Sequence, residues 1–246
     1  MAAWYRDWFN SPYYHKLYFQ HDEGEARFCV QCLLDYLKPT PGSRMIDVAC
    51  GRGRYSKVLA AAGFDVTGTD LSPENIRFAK EFESEHLHFY LHDMRLPFWI
   101  NYFDYAFNFF TSFGYFDTQR EHNAAVRSIV QSLKQGGTLL FDYLNVQYAE
   151  AHLRPDEVKI VGDTRYEIHR WQDATHFYKR IRISAPQLPQ PLEFCEKVVK
   201  FTLDDFTQML AQQKMQVTDV FGTYDLQPYD EKKTPRMIIL AKRDSA

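Results

Sequence analysis

The stretch Met45–Ser56, MIDVACGRGRYS, decides how this chain folds. A short apolar run holds Asp47, glycines follow at 51 and 53, and residues that favour helix come next. The pattern reads as strand, tight turn and helix start. Glycine in that turn permits positive φ and close approach of a ligand, while the helix start presents unpaired N–H groups. Nucleoside-bearing cofactors bind at turns of this kind, although a tight structural turn would account for the glycines alone.

Strands and helices alternate away from this point. Upstream, Ser11-Pro12 has the form of a helix N-cap, and Ala26, Cys29, Val30, Leu33 and Leu37 recur at helical spacing before the breaker Lys38–Gly42. Downstream, a helix runs to Gly63, DVTGTD (65–70) is a strand, and Ser72-Pro73-Glu74 caps a helix toward Glu85. HLHFYLHD (86–93) and FDYAFNFF (103–110) are two further strands. Thr118 to Glu121 is a capping box whose helix ends near Gln135-Gly136-Gly137, and TLLFDYLN (138–145) is a fifth strand. Near-continuous apolar strands predict an α/β fold with a doubly wound, mostly parallel sheet. QVTDVFGTYD (216–225) and RMIILAKR (236–243), after a helix capped by Thr202, bring the sheet to seven strands. Between them, residues 150–200 lose helical periodicity and predict an antiparallel β insert. The expected organisation is therefore an N-terminal segment (1–40), an α/β domain (41–149 and 201–246) and the insert, as a substrate cap or a dimer contact.

Bulk properties narrow the function. The 246 residues are 45% hydrophobic and 25% charged, with a net charge of −3, so no global field would hold nucleic acid. MAAWYRDWFN has no basic-then-apolar leader, no run approaches a membrane span, and four cysteines suggest no disulfide framework. Expected localisation is cytoplasmic, with no membrane association. Cys29 and Cys32 have metal-pair spacing but no second pair, and read as buried thiols on a helix. His86, His88 and His92 share strand parity, which a partly exposed face explains without metal. Lys179, Arg180 and Arg182 read as a solvated strand face.

Two acids sharpen the ligand. Asp70 closes the second strand, about 20 residues after the first, where a carboxylate can accept from ribose hydroxyls. Asp47, beside the glycine turn, suits a cation and would repel a pyrophosphate. S-adenosylmethionine, with its ribose, amine and sulfonium, matches both.

On IDVACGRG, VTGTDLS, LHDMRLPF and FDYAFNFFTSFGYF the sequence resembles the class I S-adenosylmethionine-dependent methyltransferases, over about residues 40–145. The resemblance implies a Rossmann-like fold and methyl transfer, with residues 1–40 as a helical lid. It implies backbone contacts to the cofactor from Ala49, Gly51 and Gly53, with Asp47 orienting the amine. It implies Asp70 on the ribose, Leu71 and Met94 on the adenine, Asp93 on its amino group, and Asn108 or Phe109 on the methyl-transfer side. Ala49 stands where the family often has glycine. The Asn/Asp-Pro-Pro-Tyr sequence of amide- and adenine-methylating branches is replaced by Asn108-Phe109-Phe110-Thr111, which argues against those acceptors. Catalytic candidates are Tyr14, His15, Thr111, Ser112 and Tyr115, with His15 expected to face solvent, and Asp142, Tyr143 and Asn145 expected to point into the pocket. The acceptor is expected to be a small molecule. An NAD-dependent oxidoreductase and a cofactor-binding protein without turnover are the alternatives, and a homodimer is possible.

Overall fold

Residues 4–18 and 23–244 are described by a computed structural model. The expected N-terminal segment thus includes stretches, 1–3 and 19–22, outside the described residues. In chain order the elements are α1 (Trp4–Phe9), α2 (Pro12–Tyr18), α3 (Glu23–Leu37), β1 (Arg44–Val48), α4 (Arg54–Ala61), β2 (Asp65–Asp70), α5 (Pro73–Ala79) and β3 (Leu87–Leu91). Then come β4 (Phe103–Asn108), α6 (Gln119–Ser132), β5 (Leu133–Leu144), α7 (Val146–Ala151), β6 (Asp156–Val161) and β7 (Thr164–Gln172). The chain closes with β8 (His176–Ser184), β9 (Leu192–Val199), α8 (Leu203–Ala211), β10 (Met215–Phe221) and β11 (Arg236–Arg243).

The main sheet has seven strands in the order β10-β11-β5-β4-β1-β2-β3. Strands β1 to β5 pair in parallel, and β11 pairs antiparallel with both β5 and β10. The order reverses between β1 and β4, and ligands gather outside the carboxyl ends of strands at such a switch point. One face packs on α6 and α8 through Val126, Ile129, Phe206 and Met209, the other on α3, α4 and α5 through Cys29, Val30, Leu59 and Ile76.

Strands β6-β7-β8-β9 form a separate antiparallel sheet, as the insert was expected to. It does not stand alone. Trp8 and Leu17 of the first two helices share a core with Tyr166, Ile168, Ile181 and Ile183 of the insert. N-terminal helices and insert therefore make one roof beside the main sheet.

Two boundaries differ from the sequence reading. The helix capped at Thr118 stops at Ser132, and β5 starts at Leu133, so Gln135–Gly137 lie within a strand. Gly136 takes φ 73°, and the β4–β5 register slips between Phe103 and Tyr105, so the glycine pair marks a bulge and not a helix stop. The helix after Ser72 ends at Ala79 and a 3-10 turn at Phe82, short of Glu85. Helix α1 was expected only as an unspecified part of a helical lid; its Trp8 packs on Phe194 of the insert, its Tyr5 on Phe116, and its Trp4 and Phe9 on Tyr115.

Candidate functional site

After β1 the backbone turns through left-handed residues Ala49 (φ 60°), Gly51 (φ 58°) and Gly53 (φ 76°) into α4. Ala49 holds this conformation despite its methyl group, at a cost of about 1–2 kcal/mol. A Cβ on Gly51 would meet nothing within 4 Å, so this glycine faces open space. Gly53 is different. A Cβ there would lie 2.5 Å from Cζ of Phe89, and Gly53 does not border the cavity. Its glycine lets α4 approach β3.

The loop floors a cavity of about 520 Å³ bordered by Asp47, Asp70 and Asp93. Asp47 is 1% exposed and accepts from Ser56 Oγ at 2.6 Å. Burial, against that hydrogen bond and with some help from Asp70, pushes its carboxyl up to about 7. Asp70 accepts from the Gly51 N–H at 2.9 Å, the Ser72 N–H at 2.8 Å and Asn75 Nδ2 at 3.3 Å. Burial raises its carboxyl too, and these donors oppose the shift. Asp93 receives a fork from Arg95, with bonds of 2.6 to 3.2 Å, and Arg6 stands 3.9 Å away. Burial alone would raise Asp93, but Arg95 and Arg6 hold it below the usual carboxylate value. Leu71, Met94 and Phe109 border the same space.

Asn108 does not border it. Its amide donates to the Val48 carbonyl at 2.9 Å, tying the ends of β4 and β1 together. The chain then kinks at Phe110 and Thr111, both at φ 56°, which delivers Thr111, Ser112 and Tyr115 to the cavity. The Tyr115 hydroxyl donates to the Thr111 carbonyl, and burial raises it well above an ordinary phenol.

The roof contributes the remaining wall. Tyr14 borders the cavity, and burial raises its phenol. His15, expected in solvent, is half-buried and borders the cavity too, with its imidazole near the Asn75 side chain of α5. Burial first, and then Arg52, lower it to about 4, so the imidazole is neutral at physiological pH. Nε2 of His15 and Oδ1 of Asn75 are buried and complete no hydrogen bond of ordinary geometry among the described residues, although the Asn75 side chain is near enough to oppose the lowering of the imidazole. Both residues border the cavity, so a polar ligand would find acceptors and donors there.

Three residues of β5 and its end do not reach the pocket. Asp142 is 1% exposed, pairs with Arg236 at 2.7 Å, and accepts from the Phe110 N–H at 2.7 Å and the Tyr224 hydroxyl at 3.1 Å. The Tyr143 hydroxyl donates to the Val199 carbonyl at 2.6 Å, and Asn145 Nδ2 to the Thr234 carbonyl at 2.7 Å. Arg236 takes their place at the cavity wall and donates to Thr111 Oγ1 at 2.9 Å. Sequence reasoning missed Arg236, Glu196 of β9, and Arg6 and Phe9 of the N-terminal segment. None carries a local motif, although the aromatic density of residues 4–18 was a signal. Among the described residues no group of three or more His, Cys, Asp and Glu side chains is placed to hold a metal.

Comparison with known proteins agrees with this architecture. Residues 46–141 match the family described as the methyltransferase domain. The Bacillus subtilis protein YqeM, provisionally named a methyltransferase, is 35% identical over 116 residues, which are 46% of this chain and 47% of YqeM. The chain thus matches about half the length of that relative. A solved S-adenosylmethionine-dependent methyltransferase from Clostridium acetobutylicum has the same fold, with a TM-score of 0.79 at 17% identity over 94% of this chain and 96% of that one. CalS10, an amino pentose methyltransferase from Micromonospora echinaspora solved with S-adenosylmethionine bound, gives 0.69 at 18% identity over 95% and 97%. Residues 46–141 thus carry a methyltransferase domain, and the chain has the fold of solved S-adenosylmethionine-dependent methyltransferases.

Proposed function

We propose that this chain transfers a methyl group from S-adenosylmethionine to a small molecule enclosed in the cavity. One observation carries the reading: Asp47 and Asp70, on the neighbouring strands β1 and β2, border one cavity with the open Gly51 turn between them. In this reading Asp47 holds the cofactor's amine, Asp70 its ribose hydroxyls and Asp93 its adenine amino group. Leu71 and Met94 flank the adenine, and Phe109 stands on the methyl-transfer side. When bound, S-adenosylmethionine supplies an electrophilic methyl group. The residues of this chain align the acceptor and exclude water, and the roof of α1, α2 and β9 serves the second task.

The net charge of −3 and the enclosed cavity support a small-molecule acceptor over nucleic acid. We read the insert as a cap, because β9 brings Glu196 and Val198 to the cavity wall; its use as a homodimer contact is the lesser reading. No described helix is long and apolar enough to cross a membrane. Four cysteines without a disulfide suit a reducing cytoplasm, the compartment we propose.

Thermal shift separates this reading from a nicotinamide oxidoreductase: S-adenosylhomocysteine should raise the melting temperature and NAD should not. Transfer of labelled methyl to an acceptor separates it from a binding protein without turnover. Stabilisation by NAD alone would reverse the assignment.

A further inference from the structure

Part of the cavity wall is built of aromatic rings. Phe9, Tyr14, Tyr18 and Tyr115 all border it. The Phe9 ring lies 5.0 Å from Tyr14 and 5.3 Å from Tyr115, and Tyr14 lies 4.9 Å from Tyr18. One charged group of the insert joins them. Glu196 reaches the cavity from β9 with its side chain 17% exposed. Its Oε1 accepts from Trp8 Nε1 at 2.7 Å, and from Tyr18 and Lys179 at 3.4 Å each. Oε2 receives none of these bonds. After burial, the Glu196 charge is the next influence raising the Tyr14 phenol, and it also raises Tyr115, so carboxylate and rings act on one space.

We propose that the methyl acceptor is an amine, recognised by Glu196 and the ring wall of Phe9, Tyr14, Tyr18 and Tyr115. The inference rests on the methyl-transfer reading above. Ring faces and a carboxylate both attract a cation and repel an anion. Lys179 pairs with Oε1 at 3.4 Å and lies 4.7 Å from the Tyr18 ring centre, so the charge has one partner. A neutral apolar ligand would still leave Oε2 without a donor among the described residues. Lys179 does not border the cavity, and the arginines that do have other neighbours: Arg236 pairs with Asp142, Arg6 stands beside Asp93, Arg54 lies 3.7 Å from Glu25, and Arg52 lies 4.5 Å from the centre of the Phe78 ring.

The chemistry balances without a strong base, which suits a site whose phenols are raised and whose imidazole is neutral. The ammonium first loses one proton to solvent. The nitrogen lone pair then forms the N–C bond as the C–S bond breaks, and the C–S electron pair stays on sulfur, leaving S-adenosylhomocysteine. Positive charge moves from sulfur to nitrogen, where Glu196 and the rings stabilise it as it develops. The methylated ammonium leaves as product.

The test uses the full chain loaded with S-adenosylhomocysteine and calorimetry at pH 7.5. Probes are matched pairs on one skeleton: 2-phenylethylamine with 2-phenylethanol, and cyclohexylamine with cyclohexanol. The amine should bind about tenfold tighter than its alcohol. Glu196→Gln, which keeps an acceptor for Trp8, should erase that preference and leave the alcohol unchanged. Phe9→Leu should weaken the amine alone. The wild-type comparison decides even if a variant fails to fold. An amine no tighter than its alcohol, binding of neither included, overturns the proposal, as does a preference that survives Glu196→Gln. Failure of S-adenosylhomocysteine to bind strikes the methyl-transfer reading itself, and this inference falls with it.

Discussion

Asp47 is a residue whose protonation the fold has moved. Its carboxyl titrates near 7, against an ordinary 3.8. Between those values the folded state keeps a proton that the unfolded chain has shed. The stability this supplies is full below 3.8 and lost as pH rises through about 7. His15 works in the opposite sense. Lowered to about 4 from 6.5, it stays neutral in the fold while the unfolded imidazole charges, so its stability is lost as pH falls through that window. Asp47→Asn removes the first effect and keeps the second. Because only ionised Asp47 attracts an amine, S-adenosylmethionine affinity should fall about tenfold for each pH unit below 7, and Asp47→Asn should flatten the profile. Calorimetry between pH 5.5 and 7 checks this; a flat wild-type profile contradicts it. At the same scale, Gly53→Ala should cost roughly 1–3 kcal/mol in urea unfolding, because the new methyl meets Phe89 at a left-handed φ. Phe89→Leu in the same chain should recover part of that loss. Equal stability of Gly53→Ala and wild type would show that the close packing is not there.

Between elements, the Arg236–Asp142 pair links β11 to β5 and, through the Phe110 N–H, to the kink after β4. Removing Arg236 alone leaves Asp142 buried and uncompensated. Arg236→Met should therefore cost about 3–5 kcal/mol, and Arg236→Met with Asp142→Asn distinctly less. Urea unfolding of both variants measures the difference, and equal losses would contradict the account. This pair also shows where sequence reading reached its limit. That Asp47, Gly51 and Asp70 meet at one cavity was legible because a strand, a turn and the next strand set their spacing locally. The capping residues Ser72, Thr118 and Thr202 were legible for the same reason, and each side chain accepts from the N–H three residues on. Asp142, Tyr143 and Asn145 were misplaced because their partners, Arg236, Val199 and Thr234, lie 56 to 94 residues away. Gly53 shows a related limit: a glycine signals close approach, and the sequence did not say that Phe89 makes one there.

Over the whole molecule, seven strands, their parallel core and the antiparallel insert followed from hydrophobic patterning, whereas the roof did not. Trp8 is 188 residues from Glu196, and only tertiary packing joins them. Trp8 is fully buried between the first helix and the insert. Trp8→Ala should cost about 3–5 kcal/mol and speed cofactor release, because the same side chain anchors the roof and positions Glu196. Stopped-flow release of S-adenosylhomocysteine tests the second part, and an unchanged rate would separate roof stability from cofactor retention. The central claim is that paired carboxylates on adjacent strands hold a cationic nucleoside. Calorimetric binding of S-adenosylhomocysteine to wild type and Asp70→Asn tests it most directly. Loss of charged hydrogen bonds to the ribose should weaken binding by about tenfold or more. Equal affinities, or no heat with wild type, would contradict the claim.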